Sequence, residues 1–164
     1  MDNTRNGSIV LGLGRIAISF TFIWAFFDKL LGLGFPSPKE VAIVNGGSPT
    51  EYYLSELTSG FLEGMWESLA GNVVVDAMLM IGLLLVGVAM LVGVASRLST
   101  VGYSAMMILM YLLVVPPADN PLVDYHIIYI FLALAIYYYG GYRTFGLEDR
   151  WMEIEFVKKH PILW

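Results

Sequence analysis

The chain has 164 residues, of which 57% are hydrophobic and only 14% charged, and its mean hydropathy is +0.69. A single domain of this composition is too apolar for a soluble globule. The net charge of −5 argues against nucleic acid as a partner, and the lack of any cysteine excludes disulfides, thiolate chemistry and cysteine-ligated iron–sulfur clusters.

The first apolar run, Ile9–Leu31, has Arg15 inside it and closes on Asp28-Lys29. A spanning helix needs about 20 mainly apolar residues, so the run predicts a transmembrane helix. It is too long for a signal-peptide core and no small-x-small cleavage site follows, so it is expected to be retained. Arg15 has two open readings, snorkelling to phosphates or binding a buried acceptor. No acid lies at its depth on the later runs, so the acceptor would be a carbonyl, a lipid or another subunit.

Residues 32–72 read as an outer cap. Ser37-Pro38-Lys39-Glu40 and Ser48-Pro49-Thr50-Glu51 both follow the capping-box pattern, with proline at the first helical position. They predict two short helices separated by the stop signal Asn45-Gly46-Gly47. A third follows, with Phe61, Leu62, Met65, Trp66 and Leu69 at helical spacing. The cap is a structural cover or a functional lid.

The second and third runs, Val73–Ala95 and Leu98–Val115, are separated only by Ser96-Arg97-Leu98 and must form an antiparallel hairpin. Gly82, Gly87, Ala89 and Gly93 allow close helix approach. The many methionines read as adaptable core rather than haem ligands.

The fourth span is read over residues 125–142, entered through Asn120-Pro121-Leu122-Val123-Asp124-Tyr125-His126. Ionisable groups at such a position are costly, and each is a site hypothesis. Asp124 and His126 stand at i and i+2, so direct pairing is not expected if both are helical. Asp124 reads either as an N-cap or as a functional acid, and His126 as a proton carrier or as a histidine bonded within the bundle. The tail, 143–164, is amphipathic and suits a membrane interface, with Trp151, Phe156 and Trp164 beside Lys158 and Lys159.

The expected fold is therefore an all-α four-helix transmembrane bundle in a cell membrane. Arg5, Arg97, Arg143, Arg150, Lys158 and Lys159 share one side, which by charge bias is cytoplasmic and holds both termini. Threading the spans brings Asp28, Lys29, Asp76, Asp119, Asp124 and His126 toward one outer pocket. Asp76 is the strongest single residue, since nearly twenty uncharged residues follow it, and Lys29 or His126 is its expected partner. Two histidines on opposite sides and no cysteine make a metal site or bis-histidine haem unexpected.

Over most of its length the chain resembles the DoxX/DoxD family. Arg15 followed by Asp28-Lys29-Leu30 is similar to that family's first helix, and Gly47-Ser48-Pro49-Thr50 with Tyr53-Leu54 to its G-S-P-T loop. Asp76, Gly82 and Gly87 resemble its second helix. Asn120-Pro121, Asp124, His126 and Tyr129 resemble the entry to its last, and Gly146-Leu147 with Trp151 the tail. The resemblance implies a subunit of a thiosulfate:quinone oxidoreductase that works with a smaller partner, with quinone as a substrate.

On that reading Asp76, Asp124 and His126 would handle protons, and Asp28, Lys29 and Arg15 would be the substrate- or quinone-binding candidates. Four aspartates in the pocket would repel a dianion, which favours proton handling over anion capture. The other open reading is a non-catalytic accessory subunit of a larger membrane complex, a homo-oligomer or an anchor for a second protein.

Overall fold

The computed structural model describes residues 3–35, 37–56, 58–60, 62–118 and 120–164. Phe61 and Asp119, both singled out above, lie outside the described residues. All regular structure among these residues is helical. Four long helices, α1 (Asn3–Leu31), α4 (Val73–Val92), α5 (Ser96–Leu113) and α6 (Tyr125–Tyr138), carry the architecture. The short helices α2 (Pro49–Glu56) and α3 (Glu63–Glu67) lie between α1 and α4, and α7 (Glu148–Glu153) and α8 (Glu155–Lys158) form the tail.

Local chemistry sets the ends of these helices. The Asn72 side chain accepts the backbone N–H groups of Val74 and Val75, which starts α4. Gly93 (φ 74°) and Gly140 (φ 75°) stop α4 and α6 in the left-handed conformation that costs glycine nothing. At both stops the next amide reaches back five residues, Val94 to the Ala89 carbonyl and Gly141 to the Ile136 carbonyl. The α4–α5 turn is thus Gly93-Val94-Ala95, three residues earlier than the hairpin spacing predicts, and α6 ends four residues before the apolar run does.

The cap also departs from the prediction. The second capping box forms as a helix start: Ser48 Oγ accepts the Glu51 N–H at 3.1 Å and α2 follows. The first yields only two 3-10 turns, Lys39–Val41 and Ile43–Asn45, because extended Pro38 takes the cap position while Asp28 binds the Ser37 amide. The third helix is five residues long and is pinned by the Trp66 indole, which donates to the Leu112 carbonyl at 3.0 Å.

The long helices form a ring in which α1 packs on α4, α4 on α5, α5 on α6 and α6 on α1. Level contacts show each neighbour pair to be antiparallel. Gly87 of α4 abuts Phe22 and Ile23 of α1, Gly82 faces Met106, Gly102 faces Val86, and Gly14 meets Leu132 and Ile136. The core runs through Ile18, Phe22, Leu83, Met90, Tyr103 and Ile136, with the Phe22 and Tyr103 rings stacked at 4.4 Å.

Arg15 settles the question left open by the sequence. Its side chain is fully buried, and its partners are main-chain carbonyls. Nε donates to Gly141, one terminal nitrogen to Met90 and Leu91, and the other to Thr144 and Phe145. One guanidinium thus ties α1 to the C-terminal end of α4 and to the turns after α6. The same end is closed by the Tyr142 hydroxyl, bonded to Ser99 and Thr100, and by the tail, whose Trp164 carbonyl accepts the Arg97 N–H.

Among the described residues, two helices, Thr4–Leu31 and Val73–Val92, are long and apolar enough to cross a membrane. Replacing Arg15 with Met is expected to remove the side-chain donor from five main-chain carbonyls, two of them in buried contacts, and to cost about 3–5 kcal/mol. That corresponds to a fall in apparent melting temperature on the order of 10 °C, read by thermal unfolding in detergent. Arg15→Lys should recover only part of it, because a point-like ammonium cannot span the five acceptors.

Candidate functional site

At the end opposite Arg15 the bundle is hollow. A cavity of about 700 Å³ lies between the four long helices, under α2 and α3. Its wall is almost wholly apolar, with Lys29, Thr50, Tyr53, Tyr125, His126 and Tyr129 as the main polar lining groups. A mostly apolar cavity with a few convergent polar groups is the usual character of a small-molecule site.

His126 and Asp124 form the chemically most informative contact in this wall. Asp124 is the N-cap of α6, in extended backbone (φ −125°, ψ −173°), and one of its carboxylate oxygens accepts the N–H groups of His126 and Ile127. Its other oxygen lies 2.6 Å from His126 Nδ1. The pairing excluded for two helical residues at i and i+2 therefore occurs, because the cap residue lies outside the helix and its side chain folds back over the first turn. The N-cap role and the functional pairing coexist. An ionised carboxylate only accepts hydrogen bonds, so Nδ1 carries the proton and the lone pair of the neutral ring sits on Nε2. The ring is buried, lines the cavity, and is covered by Tyr125 at 4.1 Å between centroids.

Lys29, at the end of α1, is almost completely buried, and its Nζ sits 3.7 Å from the centre of the Tyr53 ring. The face of an aromatic ring stabilises a desolvated ammonium through its quadrupole. Burial and the nearby Asp28 carboxylate push the Tyr53 phenol up to about 12, so it stays protonated and available as a donor.

The aspartates turn away from the cavity. Fully buried Asp28 accepts the backbone N–H groups of Phe35 and Ser37, both at 2.8 Å, and so folds the chain leaving α1. Asp76 does not pair with Lys29 or His126. One of its oxygens accepts Ser48 Oγ at 2.9 Å, Thr50 N at 2.9 Å and Thr50 Oγ1 at 2.6 Å, which fastens the start of α2 onto α4. The reason is geometric: the Ser-Pro-Thr loop delivers three donors to the first turn of α4, ahead of any more distant cation. Neither Asp28 nor Asp76 is among the cavity-lining residues.

Of the six residues selected from the sequence, the structure brings Lys29 and His126 to the cavity and sets Asp124 directly behind His126. Asp28 and Asp76 hold the surrounding loops. Arg15 lies about 20 Å from Asp28 along α1 and stands apart from the site. Sequence reasoning gave no role to Tyr53 or Tyr125, although aromatic residues flanking the Ser-Pro-Thr and Asp-x-His motifs were a readable signal. Among the described residues no group of three or more His, Cys, Asp or Glu side chains is placed to hold a metal ion. No family model, no curated protein and no solved structure matches the chain.

Asp76 is a positioning residue in this geometry, and its substitutions should separate along that line. Asp76→Asn keeps an acceptor oxygen for the loop donors and is expected to hold stability within about 1 kcal/mol, whereas Asp76→Leu strands them at a cost of about 1–3 kcal/mol. Limited proteolysis should then cut the Asp76→Leu variant faster between α2 and α3.

Proposed function

We propose that the chain is a DoxX/DoxD-like membrane subunit that binds a quinone in the cavity and manages its protons through the Asp124–His126 pair. The observation that carries this reading is the 2.6 Å contact between Asp124 and His126 at the wall of an otherwise apolar chamber. Quinone reduction takes up two electrons and two protons. A histidine with its tautomer fixed by a carboxylate can present Nε2 as a proton donor when charged and as an acceptor when neutral.

All four long helices cross the bilayer in this reading. Between residues 6 and 27 the only charge is Arg15, and the segments 77–96, 98–118 and 127–142 contain none. The outward faces match this. Leu13, Leu85, Val101 and Phe131 are each more than half exposed, whereas a water-facing bundle would present charged side chains there. At 1.5 Å per residue α5 and α6 measure about 27 and 21 Å, and their flanking turns complete the roughly 30 Å of hydrocarbon. The arginine- and lysine-rich end, with both termini, faces the cytoplasm and the cavity opens toward the outer leaflet.

The electrons come from a small sulfur compound, thiosulfate, whose oxidative coupling to tetrathionate releases two electrons for each pair of molecules. The charge argument that weighed against an anion is weaker in three dimensions. Asp28, Asp76 and Asp124 are committed to main-chain and loop donors, and the strongly ionisable groups in the wall are Lys29 and His126. A second, smaller subunit would complete the path between the two substrates.

Thiosulfate-dependent reduction of a quinone analogue by membranes containing the protein and its partner subunit is the direct test. His126→Ala is expected to lower turnover at least about 100-fold, the usual range for losing a general acid–base group, with the melting temperature retained. Asp124→Asn should lower it by a comparable order by releasing the tautomer. Normal turnover in both variants would refute the assignment.

A further inference from the structure

The cavity wall is divided by helix. Its polar groups come from α1, α2 and α6, apart from the Trp66 indole of α3, which is already bonded to the Leu112 carbonyl. The contributions of α4 and α5 are apolar throughout, among them Met78, Leu79 and Gly82 facing Met106, Leu109 and Met110. These two helices approach closely at two levels, one nearer their hairpin and one at the middle of α4. A methyl group at Gly102 would stand 2.8 Å from Val86, and one at Gly82 would stand 3.0 Å from the Met106 sulfur. Beyond Gly82 the facing side chains line the chamber. Two of them are also surface residues: Met78 is 69% and Leu109 49% exposed.

We infer that the α4–α5 gap is a lateral portal, through which the cavity takes a ligand with a hydrogen-bonding head and a long isoprenoid tail, and that the tail stays in the gap while the head meets Lys29 and His126. The inference rests on the membrane-embedded quinone reading and adds the route, the tail and the residues that select it. The division of the wall orients the ligand. A polar head placed against α4 or α5 would find no side-chain partner, and a tail directed at α1 and α6 would desolvate Lys29 and His126 without replacing their hydrogen bonds. Methionines at Met78, Met106 and Met110 give the gap flexible walls that can fit a branched chain. Because the tail passes from lipid to an equally apolar gap, the portal contributes selectivity by shape and access rather than hydrophobic driving force.

The test compares binding of a benzoquinone bearing a decaprenyl tail with the same benzoquinone lacking a tail, in nanodiscs of saturated phosphatidylcholine. Met78→Trp and Leu109→Trp each fill the gap from an exposed position, and Leu85→Trp, exposed on α4 but outside the cavity wall, is the control. Both portal variants should lower the tailed-to-tail-less affinity ratio by about tenfold or more, a factor equivalent to about 1.4 kcal/mol, while Leu85→Trp leaves it unchanged. Thermal unfolding of each variant confirms that the bundle is intact, and either portal variant suffices if the other does not fold. An unchanged ratio in a folded portal variant, as expected if an ordinary acyl chain fills the gap, overturns the portal while the quinone reading stands. Binding of neither benzoquinone by the unmodified protein overturns both.

Discussion

The structure depends first on one cation whose hydrogen bonds go to main-chain carbonyls. A guanidinium buried inside a bundle is tolerable only when its N–H groups are all hydrogen-bonded, and Arg15 meets that condition with five main-chain carbonyls. Two of these, Met90 and Leu91, belong to the last turn of α4, whose carbonyls form the negative end of the helix dipole. The others belong to the turns after α6. The arginine therefore donates to acceptors at two chain reversals and holds α1 against both. With that end fastened by Arg15, Tyr142 and the folded tail, the opposite end can stay hollow without the helices collapsing into it.

The three carboxylates at the hollow end follow a shared rule. Asp28 binds the amides of the loop leaving α1, Asp76 binds the donors that begin α2, and Asp124 binds the amides that begin α6. Each organises a place where the chain turns, and each is thereby drawn out of the chamber. Only Asp124 adds a contact of chemical consequence, because its second oxygen reaches an imidazole. The result is a cavity bordered by acids yet lined by none of the three, in which the cation of Lys29 rests on an aromatic face.

How much of this was legible in the chain depends on the kind of signal. Long apolar runs marked the four main helices, and the Ser-Pro-Thr-Glu and Asn-Pro…Asp motifs marked two helix starts, because periodicity and capping are local properties. Arg15 could not be paired from a catalogue of side chains, since its partners are backbone atoms up to 130 residues away. The Asp124–His126 contact was discounted because helical geometry was applied to both residues, whereas an N-cap has strand-like torsions. Asp76 was assigned to a distant cation because the donors of residues 48 and 50 approach it only through the folding of the cap. Counting acids at one depth also misjudged the site, since depth says nothing about which way a carboxylate faces.

That last distinction bears directly on chemistry. Four acids open to the chamber would have made it a cation site and a poor host for any anion or electron-rich ring oxygen. With Asp28, Asp76 and Asp124 turned outward, the cavity presents an ammonium on one side and a carboxylate-oriented imidazole on another, beneath the cap. A neutral ring with oxygens able to accept hydrogen bonds, and to become more basic as electrons arrive, suits this pair in both of its redox states. In the proposed reading the ammonium would stabilise charge as it develops on oxygen, and the imidazole would replace that charge with a proton. The apolar α4–α5 wall then keeps competing water away from the half of the ligand that needs none. On the proposed reading, division of the wall by helix, rather than the presence of any single residue, would make the chamber selective.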